Sequence, residues 1–358
     1  MQPKTLVLTG GGTAGHVMPN LALAPRLREQ GWSLHYLGSS SGPERGLAQS
    51  QGIPFHAIAT GKLRRYFSWK NFTDPFRVIL GAVQAFSLLG KLRPDVVFSK
   101  GGFVAVPVVY AAFMRRIPIV LHESDLTPGL ANRLCLRFCR RICASFPETL
   151  EHLPLGKAVL TGTPVREELL KGDRDSGLNW LGFTFEKPVL LIMGGSQGAA
   201  ALNRCIRSAL PRLRGRYQIV HLCGPGQVDS SLEGLAGYRQ FEFLGRELAD
   251  VFAASDRVVS RAGANSLFEL LALRKPSLLI PLPLTASRGD QILNAESFVR
   301  RGFATMLRQE DLNEDSLLRG LETLEGESET LRRNMDASEH SSASENVLQV
   351  IASMMRPS

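Results

Sequence analysis

Short apolar runs, glycine-rich turns and longer helical stretches follow one another in regular order along this chain. Thr5-Leu6-Val7-Leu8 is apolar nearly throughout, as a strand covered on both faces requires. It feeds Gly10-Gly11-Gly12-Thr13-Ala14-Gly15-His16. Pro19 then sits in the opening turn of a helix, where its fixed φ and missing N–H are tolerated. The alternation continues with strand Ser33 to Leu37, helix Pro43 to Ser50, strand Phe55 to Ala59 and a helix through Phe76, Ile79 and Leu80. Asp95-Val96-Val97-Phe98 is the next strand, and Gly101-Gly102-Phe103 turns it into a helix from Val104 to Met114. A strand from Ile117 to Leu121 ends at His122-Glu123-Ser124-Asp125, and Pro128-Gly129-Leu130-Ala131-Asn132 opens another helix.

The second half repeats the device. Pro188 to Met193 is a strand, and Gly194-Gly195-Ser196-Gln197-Gly198 leads into a helix from Ala199, echoing Leu6 to His16 about 185 positions on. Strands near Tyr217 to Leu222 and Phe241 to Leu244 precede Arg257-Val258-Val259 and the segment Ser260 to Asn294. A strand from Phe303 to Leu307 and further helices follow. The last helix, about Ser344 to Met355, carries an apolar stripe at Val347, Leu348 and Ile351 that needs a partner. Leu170 to Glu186 is polar and reads as irregular interdomain structure. Strands alternating with helices predict an α/β protein of two Rossmann-like domains with parallel sheets, residues 1–163 and 164–342, followed by a terminal helix over 343–358.

Composition narrows the partners more than the fold. Hydrophobic content of 44% and charged content of 21% across 358 residues are those of a globular protein with room for two cores. A net charge of +9 favours an anionic partner: nucleic acid, nucleotide, pyrophosphate or an acidic membrane surface. No segment is long and apolar enough to cross a bilayer, and the N-terminus lacks a signal-peptide layout, so the protein is expected in the cytoplasm. Five cysteines agree with a reducing compartment. Cys135, Cys139 and Cys143 recur every four residues, which predicts one buried helix stripe rather than a metal site.

Candidate chemistry gathers in the loops. Glycines 10, 12 and 15 satisfy the dinucleotide fingerprint, yet Gly38-Ser39-Ser40 stands where the confirming acid should end the second strand. That counts against NAD and for a loop that approaches another ligand closely. In the second half, the small-residue turn Ser260 to Ala264 leads from strand to helix and leaves N–H groups suited to a phosphate. Glu269 then falls in the first turn or two of that helix, where a carboxylate can accept from a ribose hydroxyl pair. Asp290 and Gln291, opening the next helix, can hold the polar edge of a sugar. From spacing alone, an ordinary β-α-β-α unit with a surface Glu remains equally open. Asp173-Arg174-Asp175 has a metal-nucleotide form, but with no strand before it a linker is the simpler reading. From Lys62 to Phe76 basic and aromatic residues interleave, which suits nucleic acid, lipid headgroups or a helix with a solvated basic face.

Six strings in order tie these loops together: TGGGTAGHV (Thr9–Val17), GGFVAVP (Gly101–Pro107), HESDLTPGLAN (His122–Asn132), TGTPVR (Thr161–Arg166), GGSQGA (Gly194–Ala199) and SRAGA (Ser260–Ala264). In sequence and spacing they resemble the MurG-type glycosyltransferases. The resemblance implies a GT-B fold with the active site in the cleft between two domains and the last helix returning to the N-terminal one. It implies inverting transfer of N-acetylglucosamine from UDP to an undecaprenyl-pyrophosphoryl muramyl-pentapeptide at the cytoplasmic face of a bacterial membrane, without cofactor, metal or nucleic acid. The donor would meet Thr13, Ala14, Gly15, Asp125, Arg166, Ser196, Leu244, the run Ala264, Asn265, Ser266, Leu267, Phe268 and Glu269, and then Asp290 and Gln291. The acceptor would meet Gly12, Gly15, Gly101, Gly102 and Asn132 on the N-terminal domain. Phe67, Trp69, Phe72 and Phe76, beside Lys62, Arg64, Arg65 and Lys70, would meet an anionic membrane.

His16 is the expected general base, with Glu269 the other residue assigned to the catalytic set. Of the seven histidines, His16 and His122 sit beside strand-end loops, and His16 is expected at a helix start that keeps its ring neutral. The competing role for His16 is a hydrogen bond to the acceptor pyrophosphate. Departures are Ala14 for a frequent glycine, Ser124-Asp125 for a frequent Gln-Asn, and Asp290 at a position that varies between acid and amide. The alternative within the same fold is a UDP-sugar enzyme of another kind, such as a UDP-N-acetylglucosamine epimerase.

Overall fold

The computed structural model describes residues 4–61, 70–195, 199–338 and 342–355, with backbone alone for 70–75. The chain divides into two compact units, residues 1–166 with 342–358 and residues 167–341. In the first unit the order is β1 (Lys4–Thr9), α1 (Met18–Glu29), β2 (Trp32–Ser39), α2 (Pro43–Ser50), β3 (Phe55–Ile58) and α3 (Lys70–Leu92). There follow β4 (Val96–Ser99), α4 (Ala105–Met114), β5 (Ile119–Glu123), α5 (Leu130–Cys135), β6 (Arg141–Ala144) and β7 (Ala158–Leu160). The second unit has α6 (Arg174–Leu181), β8 (Val189–Met193), α7 (Ala200–Arg216), β9 (Gln218–Leu222), β10 (Tyr238–Phe241) and α8 (Leu248–Ala254). It continues with β11 (Arg257–Ser260), α9 (Ala264–Ala272), β12 (Ser277–Leu279), α10 (Asp290–Arg300), β13 (Thr305–Met306) and α11 (Glu314–Asp336). A final helix, α12 (Ala343–Ala352), belongs to the first unit.

Both sheets are parallel and doubly wound. The first runs β3-β2-β1-β4-β5-β6-β7 and the second β10-β9-β8-β11-β12-β13. Strand order reverses beside β1 and beside β8, and ligands of such sheets lie beyond the carboxyl ends at that switch. The near-continuous apolar runs are explained by burial on both faces: Leu6, Val7 and Leu8 are each 0% exposed, and Leu6 and Leu8 face a different cluster from Val7. The stripe on α12 finds its partner there. Val347, Leu348 and Ile351 pack with Leu21, Trp32 and Leu34, and burying each contributes about 1.5–3 kcal/mol.

Three local expectations change. Leu170 to Glu186 contains a helix, because Asp173 caps α6 by accepting from Ser176 N at 2.7 Å and Gly182 closes it at φ +67°. Asp173-Arg174-Asp175 is thus a helix start. The three cysteines are buried but share no helix: Cys135 ends α5, Cys139 follows a short 3-10 turn, and Cys143 lies in β6. Strand β10 stops at Phe241, so Leu244 lies in the following loop.

Candidate active site

At the carboxyl edge of the first sheet, three loops converge. Gly10 to His16 leaves β1, forms a 3-10 turn over Ala14–His16 and enters α1 two residues later. His16 therefore precedes the helix rather than lying in its first turn. Thr13 and Gly15 are exposed, and Ala14 and His16 half-buried. The second loop, after β4, packs directly on the first. Gly102 has φ +77°, and a Cβ there would lie 3.1 Å from His16 Cδ2 and overlap the Gly11 carbonyl, so only glycine fits. Gly101, at φ +84°, faces the Asn132 amide at 2.7 Å from where its Cβ would stand. Gly12 lies against the Phe103 ring. Gly12, His16, Gly101, Gly102 and Asn132 are thereby brought together.

Two buried carboxylates hold these loops. Glu44, on α2 and 0% exposed, accepts from Ser39 N at 2.9 Å, from Ser39 Oγ and from Gly12 N at 3.2 Å. It thereby joins the end of β2 to the β1 loop and takes one of that loop's own N–H donors. Glu123, 5% exposed, accepts from Asn132 Nδ2 at 2.8 Å, Gly129 N at 3.0 Å and Asp125 N at 3.1 Å. Burial and then Asp125 raise its pKa, against the downward pull of the Asn132 and Gly129 donors and of Lys100. Asn132 also donates to His122 O at 3.1 Å and is 6% exposed, so its amide NH2 is spent on the scaffold.

His122 does not reach a ligand. It lies within β5, is 0% exposed, and its Nε2 stands 3.0 Å from Gly162 O. A carbonyl only accepts, so Nε2 carries the proton. Burial first, then the neighbouring Lys100, push its pKa well below the ordinary value. Lys100 itself, 1% exposed, was not singled out by sequence reasoning; its Nζ donates to Ser124 Oγ. Its only sequence signal is a lysine closing the apolar run before Gly101-Gly102.

In the second unit the β11–α9 turn is the corresponding feature. Gly263 precedes α9 without a side-chain cap, and the space a Cβ would take there is open. Arg261, 5% exposed, fixes the turn from below. It donates through one guanidinium nitrogen to Ile280 O at 2.9 Å and Pro281 O at 3.4 Å, and through the other to Gln309 Oε1 at 2.6 Å. Asn294 Nδ2 donates to Ala262 O at 3.4 Å. Asn265, Ser266 and Glu269 are half-buried along α9, whereas Leu267 and Phe268 are core, so the side chains of those two are closed to a ligand. Gln291 Oε1 accepts from Leu282 N at 3.1 Å, and Asp290 lies 3.4 Å from Arg288. Leu244 packs on the second unit's core, and Arg166 is half-buried at the end of the first unit. Ser196 lies outside the described residues.

The glycosyltransferase family 28 N-terminal domain matches residues 6–144, and the family 28 C-terminal domain matches residues 189–350. The chain belongs to glycosyltransferase family 28. This family 28 chain is 53% identical over 97% of its length to the UDP-N-acetylglucosamine–N-acetylmuramyl-(pentapeptide) pyrophosphoryl-undecaprenol N-acetylglucosamine transferase of Lachnospira eligens, 98% of which is covered. A solved MurG of Acinetobacter baumannii is similar at TM-score 0.76 and 27% identity, covering 98% of this chain and 100% of that one. A UDP-GlcNAc 2-epimerase of Neisseria meningitidis, bound to UDP-GlcNAc, shares the fold at TM-score 0.67 and 15% identity, covering 98% and 100%. The GT-B class expected from the motifs is therefore the class of this chain.

A surface of the first unit stands apart from the loops. Phe76, Ile79, Leu80 and Val83 fall on one face of α3 and are 51–74% exposed. Tyr110, Phe113 and Met114 are exposed on α4, which packs beside it. Of the four aromatics expected to meet a membrane, Phe76 is on this face; Phe67, Trp69 and the side chain of Phe72 lie outside the described residues. Among the described residues no helix is long and apolar enough to cross a membrane.

Proposed function

We propose that this chain transfers N-acetylglucosamine from UDP-N-acetylglucosamine to N-acetylmuramyl-(pentapeptide) pyrophosphoryl-undecaprenol. The observation that carries the reading is likeness to a transferase over nearly the whole chain, including the loops of both units. Fold alone would not decide it, since an epimerase shares the architecture. In the reaction a hydroxyl oxygen of the acceptor sugar attacks C1 of the donor, the bond to UDP breaks with inversion, and the hydroxyl proton leaves to a base.

His16 is the base in this reading. A sugar hydroxyl is far too weakly acidic to ionise alone at neutral pH, and a positioned imidazole supplies roughly a hundredfold to ten-thousandfold. Its contact with Gly102 joins it to the loop assigned to the acceptor. The donor belongs to the second unit, with the diphosphate at the Gly263 turn, the ribose hydroxyls on Glu269 and the sugar edge near Asp290 and Gln291. The start of α9 supports this, because a helix N-terminus entered through a glycine stabilises a leaving diphosphate.

Attachment to the cytoplasmic face of the membrane is peripheral. The exposed apolar face of α3 supports it, as does the neighbouring basic rim, with Arg115 stacked on Phe86 at 3.9 Å and Arg137 on Phe138 at 4.6 Å. Each surface cation adds about 1 kcal/mol near an anionic leaflet, and salt screens it. Vesicle binding should fall with added salt and with Phe76→Ser plus Val83→Ser; equal binding to neutral vesicles in high salt contradicts this. The test of the whole reading is incubation with UDP-N-acetylglucosamine, with and without the lipid-linked acceptor. UDP release that requires acceptor is expected. Conversion of the donor sugar at C2 without acceptor would favour the epimerase.

A further inference from the structure

Behind the glycine loops of the first unit lies a buried lysine that the chemistry above does not use. Lys100 follows β4 directly, and its N–H donates to Thr9 O at 2.9 Å, tying the β4 loop to the β1 loop. Its Cβ is 3.1 Å from where a side chain on Gly10 would begin, and the next two residues are Gly101 and Gly102. Its ammonium donates to Ser124 Oγ, in the third loop of the same edge. At 1% exposure it touches no ligand. Burying an ammonium costs several kcal/mol before pairing is counted, and a methionine would fill much the same volume without that cost. Packing therefore does not explain the lysine.

The charges around it do. Glu123 and Asp125 act on Lys100 from β5 and its following loop, while the Cys143 thiol on β6, its pKa pushed up by burial to about 12, and the His122 ring beside them are neutral. Two carboxylates beside loops that must admit a pyrophosphate would repel it; a fixed cation beneath them offsets that field.

We propose that Lys100 is a positioning residue for the transfer reaction, its buried ammonium fastening the Ser124–Asp125 loop to the glycine loops and offsetting Glu123 and Asp125 so that a pyrophosphate-bearing acceptor is admitted. This rests on the transferase reading. Burial lowers the Lys100 pKa to about 8, against the upward pull of Glu123 and Asp125. Acceptor use should accordingly decline as pH rises through that value.

The test measures initial rates for wild type, Lys100→Met, Ser124→Ala, Asp125→Asn and Lys100→Met/Asp125→Asn from pH 6.5 to 9.5, with UDP affinity measured alongside. Lys100→Met is expected to raise the acceptor KM at least tenfold, keep UDP Kd within threefold, unfold no earlier than wild type and lose the alkaline limb. Asp125→Asn should recover part of the acceptor KM in the Lys100→Met background. An unchanged acceptor KM and pH profile in Lys100→Met, or no recovery in the double variant, overturns the proposal. Lysine Cε NMR on the unliganded protein separates this from the transferase reading. Lys275 also titrates near 8, and Lys100→Met identifies the other signal. Asp125→Asn should lower the midpoint of that signal; no movement refutes the electrostatic link whether or not transfer occurs.

Discussion

The loops of the first unit and the β11–α9 turn of the second begin from the same strand–turn–helix device, and each has a buried cation beneath it, Lys100 and Arg261. In the first unit carboxylates share the fastening with the cation: Glu44 takes the Gly12 N–H, and Glu123 takes those of Gly129 and Asp125. In the second the fastener is a guanidinium, Arg261, which takes carbonyl oxygens of Ile280 and Pro281. A carboxylate under a loop consumes donors that a phosphate would want. A cation under a turn consumes acceptors and takes none of the donors. The lesson is that a glycine fingerprint reports backbone shape alone, and the buried charges beneath it decide which of its N–H groups the scaffold itself uses.

The comparison can be broken from either side. The largest effect is expected at His16: His16→Ala should cut turnover at least about a hundredfold. Near-normal rates at saturating acceptor would make it a binding residue, with His122 and Glu123, both buried in β5, no substitute for it. Arg261→Met removes the cation and strands two carbonyls, so UDP affinity should fall roughly tenfold, with about 1–3 kcal/mol of stability lost. Unchanged UDP affinity would separate the turn's fastening from its use. Glu44→Gln should cost about 1–2 kcal/mol and speed hydrogen exchange at Gly12 while leaving UDP binding alone; slow exchange at Gly12 would show that the loop needs no carboxylate.

The smallest effect is acid lability. His35 Nδ1 lies 3.2 Å from His56 Nε2, and burial lowers both pKa values, with His56 adding to the effect on His35. His221, buried against Asn203 and Tyr238, is lowered to about 3. The unfolded chain binds protons at these rings near pH 6.5, whereas the folded chain resists until lower pH. Stability is thus full above about 6.5 and falls as pH drops toward the folded values. Thermal unfolding between pH 7 and 4.5 should show the slope, and His35→Gln should flatten it slightly. A flat profile in wild type would contradict the burial of these rings.

Much of this was legible in the chain. Apolar runs give the strands because both faces of each sheet are covered, and glycines at strand ends mark the ligand edge. What stayed hidden acts across elements. Glu44 reaches the end of β2 and the Gly12 N–H from the next helix, so no fixed spacing reveals it. Lys100 reads as the end of a strand, and only the fold brings it to Ser124. His122 reads as a loop residue, yet its pairing with Cys143 extends β5 over it. The four-residue cysteine spacing imitates a helix, but the chain leaves α5 at Cys135. Helix α6 is hidden in the sequence because its caps, Asp173 and Gly182, sit in a segment polar enough to pass for a linker.

The central claim is that the two units divide the substrates, with UDP held by the second. Calorimetric titration of UDP into Glu269→Ala and His16→Ala, side by side, tests it most directly. A carboxylate accepting two ribose hydroxyls is worth roughly 1.5–3 kcal/mol. Glu269→Ala should therefore weaken UDP binding about tenfold or more with folding intact, while His16→Ala stays within about threefold of wild type. Unchanged affinity in Glu269→Ala, or an equal loss in His16→Ala, would contradict the division.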